Sequence, residues 1–337
     1  MSDMKSDKRN PRLSSVLSKA AAAEVTVTSM TALSGGAASM SYLVETERDG
    51  GPWPLVLQVS SGDETGDPSR TMSRAVQAAL QQRAANAGMR VPAIVAVLEP
   101  EDGLGDGFVM EFVSGETLAP RYLRKPEFAA ARERLTTDTA QALAQLHGIA
   151  RLEFEGLGLP VLDGPAQLGH LRDVYDSLGG GVPVFEMAFA RLKDRLPPCK
   201  APVLVHGDFR SGNFIVGKDG LRSVLDWELA HIGDPLLDIG WLSTNTWRFG
   251  NWQKPVGGFG QREAFYTAYE AAGGRPVDLR TALAFEMLGS LRWGVMCMQM
   301  AAAHLNGTAQ SVERAAIGRR VSETEADLIH IMKHGSV

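Results

Sequence analysis

Cysteine is nearly absent from this 337-residue chain: Cys199 and Cys297 are the only two, too few and too unpatterned for a disulfide framework or a thiolate metal site. No apolar run approaches the roughly 18 residues that a membrane span needs. Met1 to Arg12 is polar and of mixed charge, without the apolar segment of a secretory signal, so the cytoplasm is the expected compartment. A surplus of positive charge is missing too. The formal net charge is −5, which leaves no electrostatic footprint for nucleic acid. Two local absences matter more: no lysine lies between Lys19 and Lys125, and no acidic residue between Asp67 and Glu99.

What is present suits a large core. With 44% hydrophobic and 22% charged residues the chain is long enough for two lobes. The densest chemistry lies from Leu204 to Trp241, LVHGDFRSGNFIVGKDGLRSVLDWELAHIGDPLLDIGW. Within it the runs Phe214-Ile215-Val216 and Ser223-Val224-Leu225 predict two strands joined by Gly217-Lys218-Asp219-Gly220, a composition suited to a tight hairpin. Such a hairpin puts Asn213 at the start of one strand and Asp226 at the end of its partner, so their side chains converge. Phosphoryl transfer needs that convergence. A carboxylate and an amide oxygen hold Mg²⁺ against nucleotide phosphates while a second carboxylate takes or orients the proton of the attacking hydroxyl. In that chemistry Asp226 is the metal carboxylate, Asn213 its neutral co-ligand and Asp208 the base. Taken singly, an Asp or Asn in a loop is more often a turn or cap residue; the joint spacing points to chemistry.

At these residues the chain resembles the aminoglycoside phosphotransferase and choline kinase superfamily, a branch of the protein-kinase-like fold. His206, Gly207, Asp208 and Asn213 meet its His-Gly-Asp-x-x-x-x-Asn signature, and Asp226 in Leu-Asp-Trp-Glu meets its metal-binding Asp. HGDFRSGNFIV followed by LDWELAHIGDPLLDIGW looks most like the group related to domains fused to acyl-CoA dehydrogenases. The resemblance runs from about Thr28 to about Gln299, and is stronger in the second half. It implies an α+β, bilobal protein-kinase-like fold: an N-terminal arm and helix over 1–24, a small β-rich nucleotide-binding lobe over 25–113, and a large, mainly helical catalytic and acceptor-binding lobe over 114–337. It implies transfer of a phosphoryl group from ATP, with Mg²⁺, to a hydroxyl of a small molecule. His206 then braces the loop, Asp238 accepts hydrogen bonds from the catalytic-loop backbone, and Asp234, before Pro235, caps the helix that starts there. Arg210 either holds the acceptor or the γ-phosphate or is a solvent-exposed loop cation. A protein kinase is disfavoured, because Trp227-Glu228 rather than Phe-Gly follows Asp226, and no segment ends in Ala-Pro-Glu.

Along the rest of the chain the pattern predicts a loose arm leading into a helix over Leu13 to Glu24, strands near Val25–Met30, Tyr42–Val44, Pro54–Val59, Val91–Leu98 and Phe108–Val113, and a helix over Arg70–Asn86. Ser34, Gly35, Gly36 and Ser39 fall where the resemblance implies a phosphate-covering hairpin, whose small residues let N–H groups approach phosphate oxygens. Glu111, Phe112 and Val113 fall at the adenine-contacting linker. Later helices are predicted over Arg132–Gly148, Leu171–Leu196 with a break near Gly179-Gly180-Gly181, from Leu236, over Gln261–Ala272 and over Leu279 to about His304. Trp241, Trp247, Trp252 and Trp293, with Met287, Met296, Met298 and Met300, are candidates to line an acceptor pocket, though at helical spacing they are more often core.

The departures from the family pattern cluster on the nucleotide side. A strand cation, positioned by a helix Glu, ordinarily holds the phosphates. Here Gln58 occupies the strand position and Ala75 or Gln77 the helix position. Loss of the cation alone would strand a buried carboxylate, so joint loss is physically coherent. Either Gln58 donates to phosphate with help from Arg70, Arg74 or Arg210, or nucleotide use is impaired and the chain is a nucleotide-binding protein without turnover. The acceptor side has few acids, chiefly Glu263, Glu270, Asp278 and Glu286. The apolar stretch Leu288 to Met300 suggests a lipophilic acceptor, such as a hydroxy-acyl compound or other apolar alcohol.

Overall fold

The computed structural model describes residues 3–33, 39–60 and 72–335, and the chain divides into two compact units, the first ending at Ser114 and the second starting at Gly115. The first unit is a helix, an antiparallel sheet and a second helix. Its elements in order are α1 (Asp3–Ala21), β1 (Val25–Ala32), β2 (Ser39–Arg48), β3 (Gly51–Pro52), β4 (Leu55–Ser60), α2 (Arg74–Asn86), β5 (Ile94–Val97) and β6 (Gly107–Glu111). The sheet order is β1-β2-β4-β6-β5, with β3 paired to β2.

Period-two alternation sorts the two faces of this sheet. Leu55, Leu57 and Val59 of β4 join Val25, Val44, Val109, Leu13 and Leu17 in one core, which is the α1 face. Leu13 and Leu17, one turn apart and fully buried, anchor α1. The helix continues back through Pro11 to Asp3, so the polar segment that the composition suggests is a loose arm is helical. Val56, Gln58 and Ser60 therefore belong to the opposite face. Met110 pairs with Val56 and its sulfur accepts from Gln81 Nε2 of α2 at 3.7 Å, so α2 lies on that second face. Ser73 caps α2, its hydroxyl accepting from the Val76 amide.

The second unit is mostly helical: α3 (Ala119–Arg124), α4 (Ala129–His147), α5 (Gly164–Ser177), α6 (Pro183–Lys193), α7 (Leu236–Ser243), α8 (Arg262–Ala271), α9 (Leu279–Leu305), α10 (Val312–Gly318) and α11 (Val321–His334). Four short strands sit between α6 and α7. β7 (Val203–Val205) pairs antiparallel with β10 (His231–Gly233), while β8 (Phe214–Gly217) and β9 (Gly220–Val224) form a hairpin closed by the Gly217–Gly220 pair. Gly220 takes φ +133°, and a Cβ there would lie 2.3 Å from Asp138 Oδ2; that carboxylate accepts from the Leu221 amide at 3.0 Å and pins the hairpin to α4. The main core joins α5, α6, α9 and α11 through Leu168, Phe185, Leu192, Leu291 and Leu328. Leu288, Leu291, Val295 and Met287 belong to it and Met298 packs against it. The apolar stretch read as a lipophilic acceptor surface is thus mainly core, because α9 is enclosed by helices on several sides.

Candidate active site

The loop after β7 hangs from one carboxylate. Asp238, fully buried on α7, accepts from the amides of His206 at 2.8 Å and Gly207 at 2.9 Å. It also faces His147 Nε2 of α4 at 3.2 Å. Asp238 can only accept, so Nε2 carries the proton; His147 Nδ1 lies 2.8 Å from the Tyr269 hydroxyl of α8. Burial pushes the Asp238 carboxyl up, but the bond and charge of His147 and the His206 amide outweigh it and hold the carboxyl below its ordinary value. Gly207 takes φ +78°, where a Cβ would fall 2.1 Å from the Leu229 carbonyl; only glycine lets the loop pass there. His206 is fully buried, its ring 4.8 Å from that of Trp227. Its Nδ1 accepts from the Asp208 amide at 3.2 Å, and burial lowers its pKa. It is a neutral brace.

Asp208 and Asn213 are joined directly. Asn213 Nδ2 donates to Asp208 Oδ2 at 2.6 Å and to the Asp208 carbonyl at 2.9 Å. Both partners are acceptors, which assigns the amide orientation and turns Asn213 Oδ1 away from Asp208. Two further donors reach the carboxylate: Trp241 Nε1 at 2.7 Å, and Arg210 Nε at 3.0 and 3.1 Å from its two oxygens. The Arg210 guanidinium lies 4.4 Å above the Trp247 ring, and its side chain is 24% exposed. The free, solvated loop cation is therefore not what the structure shows. Asp234 Oδ1 accepts from the Leu236 amide at 2.9 Å at the start of α7.

Asp226 follows β9 with φ +69°, a left-handed conformation that an Asp tolerates better than most residues but that still carries strain. The residue is half-buried, and burial, then the charges of Glu228 and Asp208, push its carboxyl up to about 7. Asp226 therefore stands in an excess of negative charge that Arg210 only partly offsets. An oxygen donor set of Asp226 carboxylate and Asn213 amide fits a hard divalent cation. Among the described residues no group of three or more His, Cys, Asp or Glu side chains is placed to hold a metal.

In the first unit Gln58 pairs with Ser41 and Phe108 in mid-sheet. Ser39 begins β2 opposite Ser60. Glu111 ends β6, its amide donating to the Ala93 carbonyl at 2.9 Å, and the Phe112 amide donates to Pro54 at 3.2 Å. The Phe112 side chain is exposed, and Val113 follows as the chain leaves the sheet. Ser34, Gly35, Gly36 and Arg70 lie outside the described residues.

Three features escape a sequence reading. Trp241, Trp247 and Trp293 pack edge to face with centroids 5.1 and 4.9 Å apart, and Arg292, 4.3 Å over Trp241, donates to the Gly207 carbonyl at 2.9 Å. These tryptophans are core; their periodicity says buried but not against what. Second, Glu286 is buried between Arg248, at 2.8 Å, and Arg262, at 2.7 Å, so it is not free to face a cationic acceptor. Third, a cleft of about 890 Å³ in this unit is not lined by Asp208: its walls include Arg132, Glu133, Trp252, Lys254 and Gln261. Of the tryptophan candidates, only Trp252 lines it. A smaller slot lined by Gln167, Leu171, Trp241, Phe285 and Arg292 backs directly onto the Asp208 donor Trp241. No described helix is long and apolar enough to cross a membrane.

The profile of the family described as "Phosphotransferase enzyme family" matches residues 29–276. Human acyl-CoA dehydrogenase family member 11 is 32% identical over 164 residues, covering 46% of this chain and 21% of that protein; the chain thus spans about a fifth of that relative. A solved structure from Ralstonia eutropha, assigned by its name to the aminoglycoside phosphotransferases, superposes with TM-score 0.70 at 20% identity, over 94% of this chain and 95% of that one. The GDP complex of aminoglycoside 2′-phosphotransferase-IIIa does so with TM-score 0.64 at 14% identity, over 94% and 98%. At those identities the likeness establishes the fold: an antiparallel-sheet N-terminal part and a helical C-terminal part of the kinase-like phosphotransferase type. With the profile match spanning well over half its residues, the chain belongs to the phosphotransferase enzyme family.

Proposed function

We propose that this protein transfers the γ-phosphoryl group of ATP to the hydroxyl of a small molecule. The observation that carries this reading is the buried Asp208–Asn213 pair, 2.6 Å apart, on a loop suspended from Asp238. Nucleotide contacts fall to the first unit, with the stretch Ser34 to Ser39, Gln58 and the linker Glu111 to Val113. The second unit supplies the chemistry.

Asp208 accepts the proton of the acceptor hydroxyl as its oxygen forms a bond to phosphorus and the bond to the β-phosphate oxygen breaks, releasing ADP. Arg210 Nε straddles both carboxylate oxygens, while Asn213 and Trp241 are more deeply buried donors. Arg210 is thus the donor that yields an oxygen to the incoming hydroxyl, and its released charge is directed at the anionic oxygens of the transferring group. Asp226 and Asn213 would hold Mg²⁺, which would supply neutralisation of phosphate charge when bound. Of the late-helix acids, Glu286 is held by two arginines, Asp278 caps α9 through the Thr281 amide, Glu270 accepts from the Val277 amide, and Glu263 is exposed on α8.

The test is Mg²⁺-dependent ATP binding and slow ATP hydrolysis by the wild type, Asp208→Ala and Asp226→Ala. Loss of turnover in both variants, with nucleotide binding retained by Asp208→Ala, is expected. Equal background hydrolysis in all three proteins would leave a nucleotide-binding protein without turnover as the better reading.

A further inference from the structure

The cleft of about 890 Å³ in the second unit has no part in the chemistry assigned to Asp208, yet its walls are held as firmly as a binding site requires. One wall is the loop that carries Trp252, an indole 60% exposed. That loop is stapled in place. The buried Arg248 guanidinium donates to the Trp252 carbonyl at 3.1 Å, Asn251 Nδ2 to the Gly258 carbonyl at 3.0 Å and Gln261 Nε2 to the Gln253 carbonyl at 3.0 Å, and residues 255–260 are buried. The other wall includes Leu123 of α3 and Arg132 of α4. Arg132 is fixed through Nη1, which donates to the carbonyls of Tyr122 and Lys125 at 2.9 and 2.8 Å. Both walls are tied to one residue of the catalytic loop: the Tyr122 hydroxyl donates to the Ser211 carbonyl, and Ser211 Oγ donates to the Gly257 carbonyl at 2.6 Å. The cleft is therefore preformed, and a ligand entering it would lose little free energy to ordering its walls. Its volume falls within the roughly 300–1,000 Å³ of small-molecule sites.

Three charged side chains line the cleft, Arg132, Glu133 and Lys254, and none of them has an ion-pair partner among the described residues. We propose that the cleft is a second ligand site, separate from Asp208, for an amphipathic organic monoanion: a flat apolar body for the Trp252 ring and a carboxylate for Lys254 and Arg132. An exposed indole on a fixed loop offers a face for stacking at little cost in conformational freedom. The ammonium and the guanidinium supply charge-assisted hydrogen bonds to a carboxylate. Two cations against one carboxylate leave a single surplus positive charge, and Glu133 repels a second negative group, so the cleft selects against polyanions such as a nucleoside triphosphate. The inference stands apart from the phosphoryl-transfer reading and does not need it.

The experiment measures dissociation constants by calorimetry on the full chain for three probes with one ring system and different charge: 2-naphthoate, 2-naphthamide and 2-naphthylmethylammonium. The carboxylate is expected to bind at about 1 mM or tighter, about 10-fold more tightly than the amide, with the ammonium weakest. Trp252→Ala is expected to weaken the carboxylate and the amide alike, by about 10-fold. Lys254→Ala is expected to weaken the carboxylate about 10-fold and leave the amide unchanged, and Glu133→Gln to tighten the carboxylate. All three positions are exposed, so the variants should fold, with melting temperatures as the control. Saturating Mg·ATP is expected to leave the affinity for 2-naphthoate unchanged. No binding of 2-naphthoate up to about 10 mM, an ammonium probe that binds as tightly as the carboxylate, or unchanged affinity in Trp252→Ala or Lys254→Ala overturns the assignment. Competition by Mg·ATP overturns it too, because the anion would then occupy a nucleotide site rather than this cleft.

Discussion

Replacing Asp238 with asparagine tests how far one carboxylate organises the active loop. Asp238 takes three donors, the amides of His206 and Gly207 and the His147 ring, and hydrogen bonds to a buried charge contribute on the order of 1.5–3 kcal/mol each. Asparagine has one acceptor oxygen, so its NH₂ must face at least one of those N–H groups and leave it without a partner. Breaking a buried charged arrangement in this way costs roughly 3–5 kcal/mol. For a helical unit of this size each kcal/mol lowers the melting temperature by roughly 2–4 °C, so Asp238→Asn is expected to melt roughly 6–20 °C below wild type at pH 7. The pH dependence follows from the depressed pKa of Asp238. A carboxylate held below its ordinary value contributes stability that is fully present above the unfolded value, near 4, and that is lost as pH falls through the folded one. The gap between the two proteins should stay constant from pH 8 to about 5 and narrow below that. Calorimetric melts across that range are the assay. A melting temperature within about 2 °C of wild type, or a gap that widens on acidification, would refute the view that Asp238 holds the loop by its charge.

Two further outcomes follow from the same geometry. Trp241→Phe removes the 2.7 Å donor to Asp208 but keeps an aromatic ring in the stack; ATP hydrolysis should fall about 10-fold or more with KM for ATP unchanged, and a KM effect without a rate effect would point to packing alone. Glu286→Gln leaves Arg248, fully buried, without its carboxylate and should destabilise the second unit by about 3–5 kcal/mol in urea unfolding, whereas a double change to Arg248→Met and Glu286→Met should cost less than the single one.

The legible part of this molecule is the part written in local sequence. Asp208, Asn213 and Asp226 lie within one hairpin and its flanking loop, so spacing alone brings them near one another; the Gly217–Gly220 closure is what an Asp-Gly turn between two apolar runs requires. Asp234 at the start of α7 is likewise a nearest-neighbour feature, and most strands and helices show their periods within a single window. Position on a helix was legible less often than the helix itself. Gln77 and Ala75 are both plausible inward residues of α2 until the sheet decides which side is covered.

Contacts between distant segments carry the rest, and no local pattern encodes them. His147 of α4 meets Asp238, and Tyr269 of α8 meets His147 in turn; each alone is an ordinary helix residue, and only the packing of these helices joins them to the carboxylate that holds the loop amides. Trp241 and Arg292 belong to separate helices, α7 and α9, yet one donates to the Asp208 carboxylate and the other to the Gly207 carbonyl. The apolar face of α9 misled for the same reason. A run such as Leu288 to Met300 states that the helix is covered, and whether by ligand or by protein depends on α5, α6 and α11, which lie elsewhere in the chain.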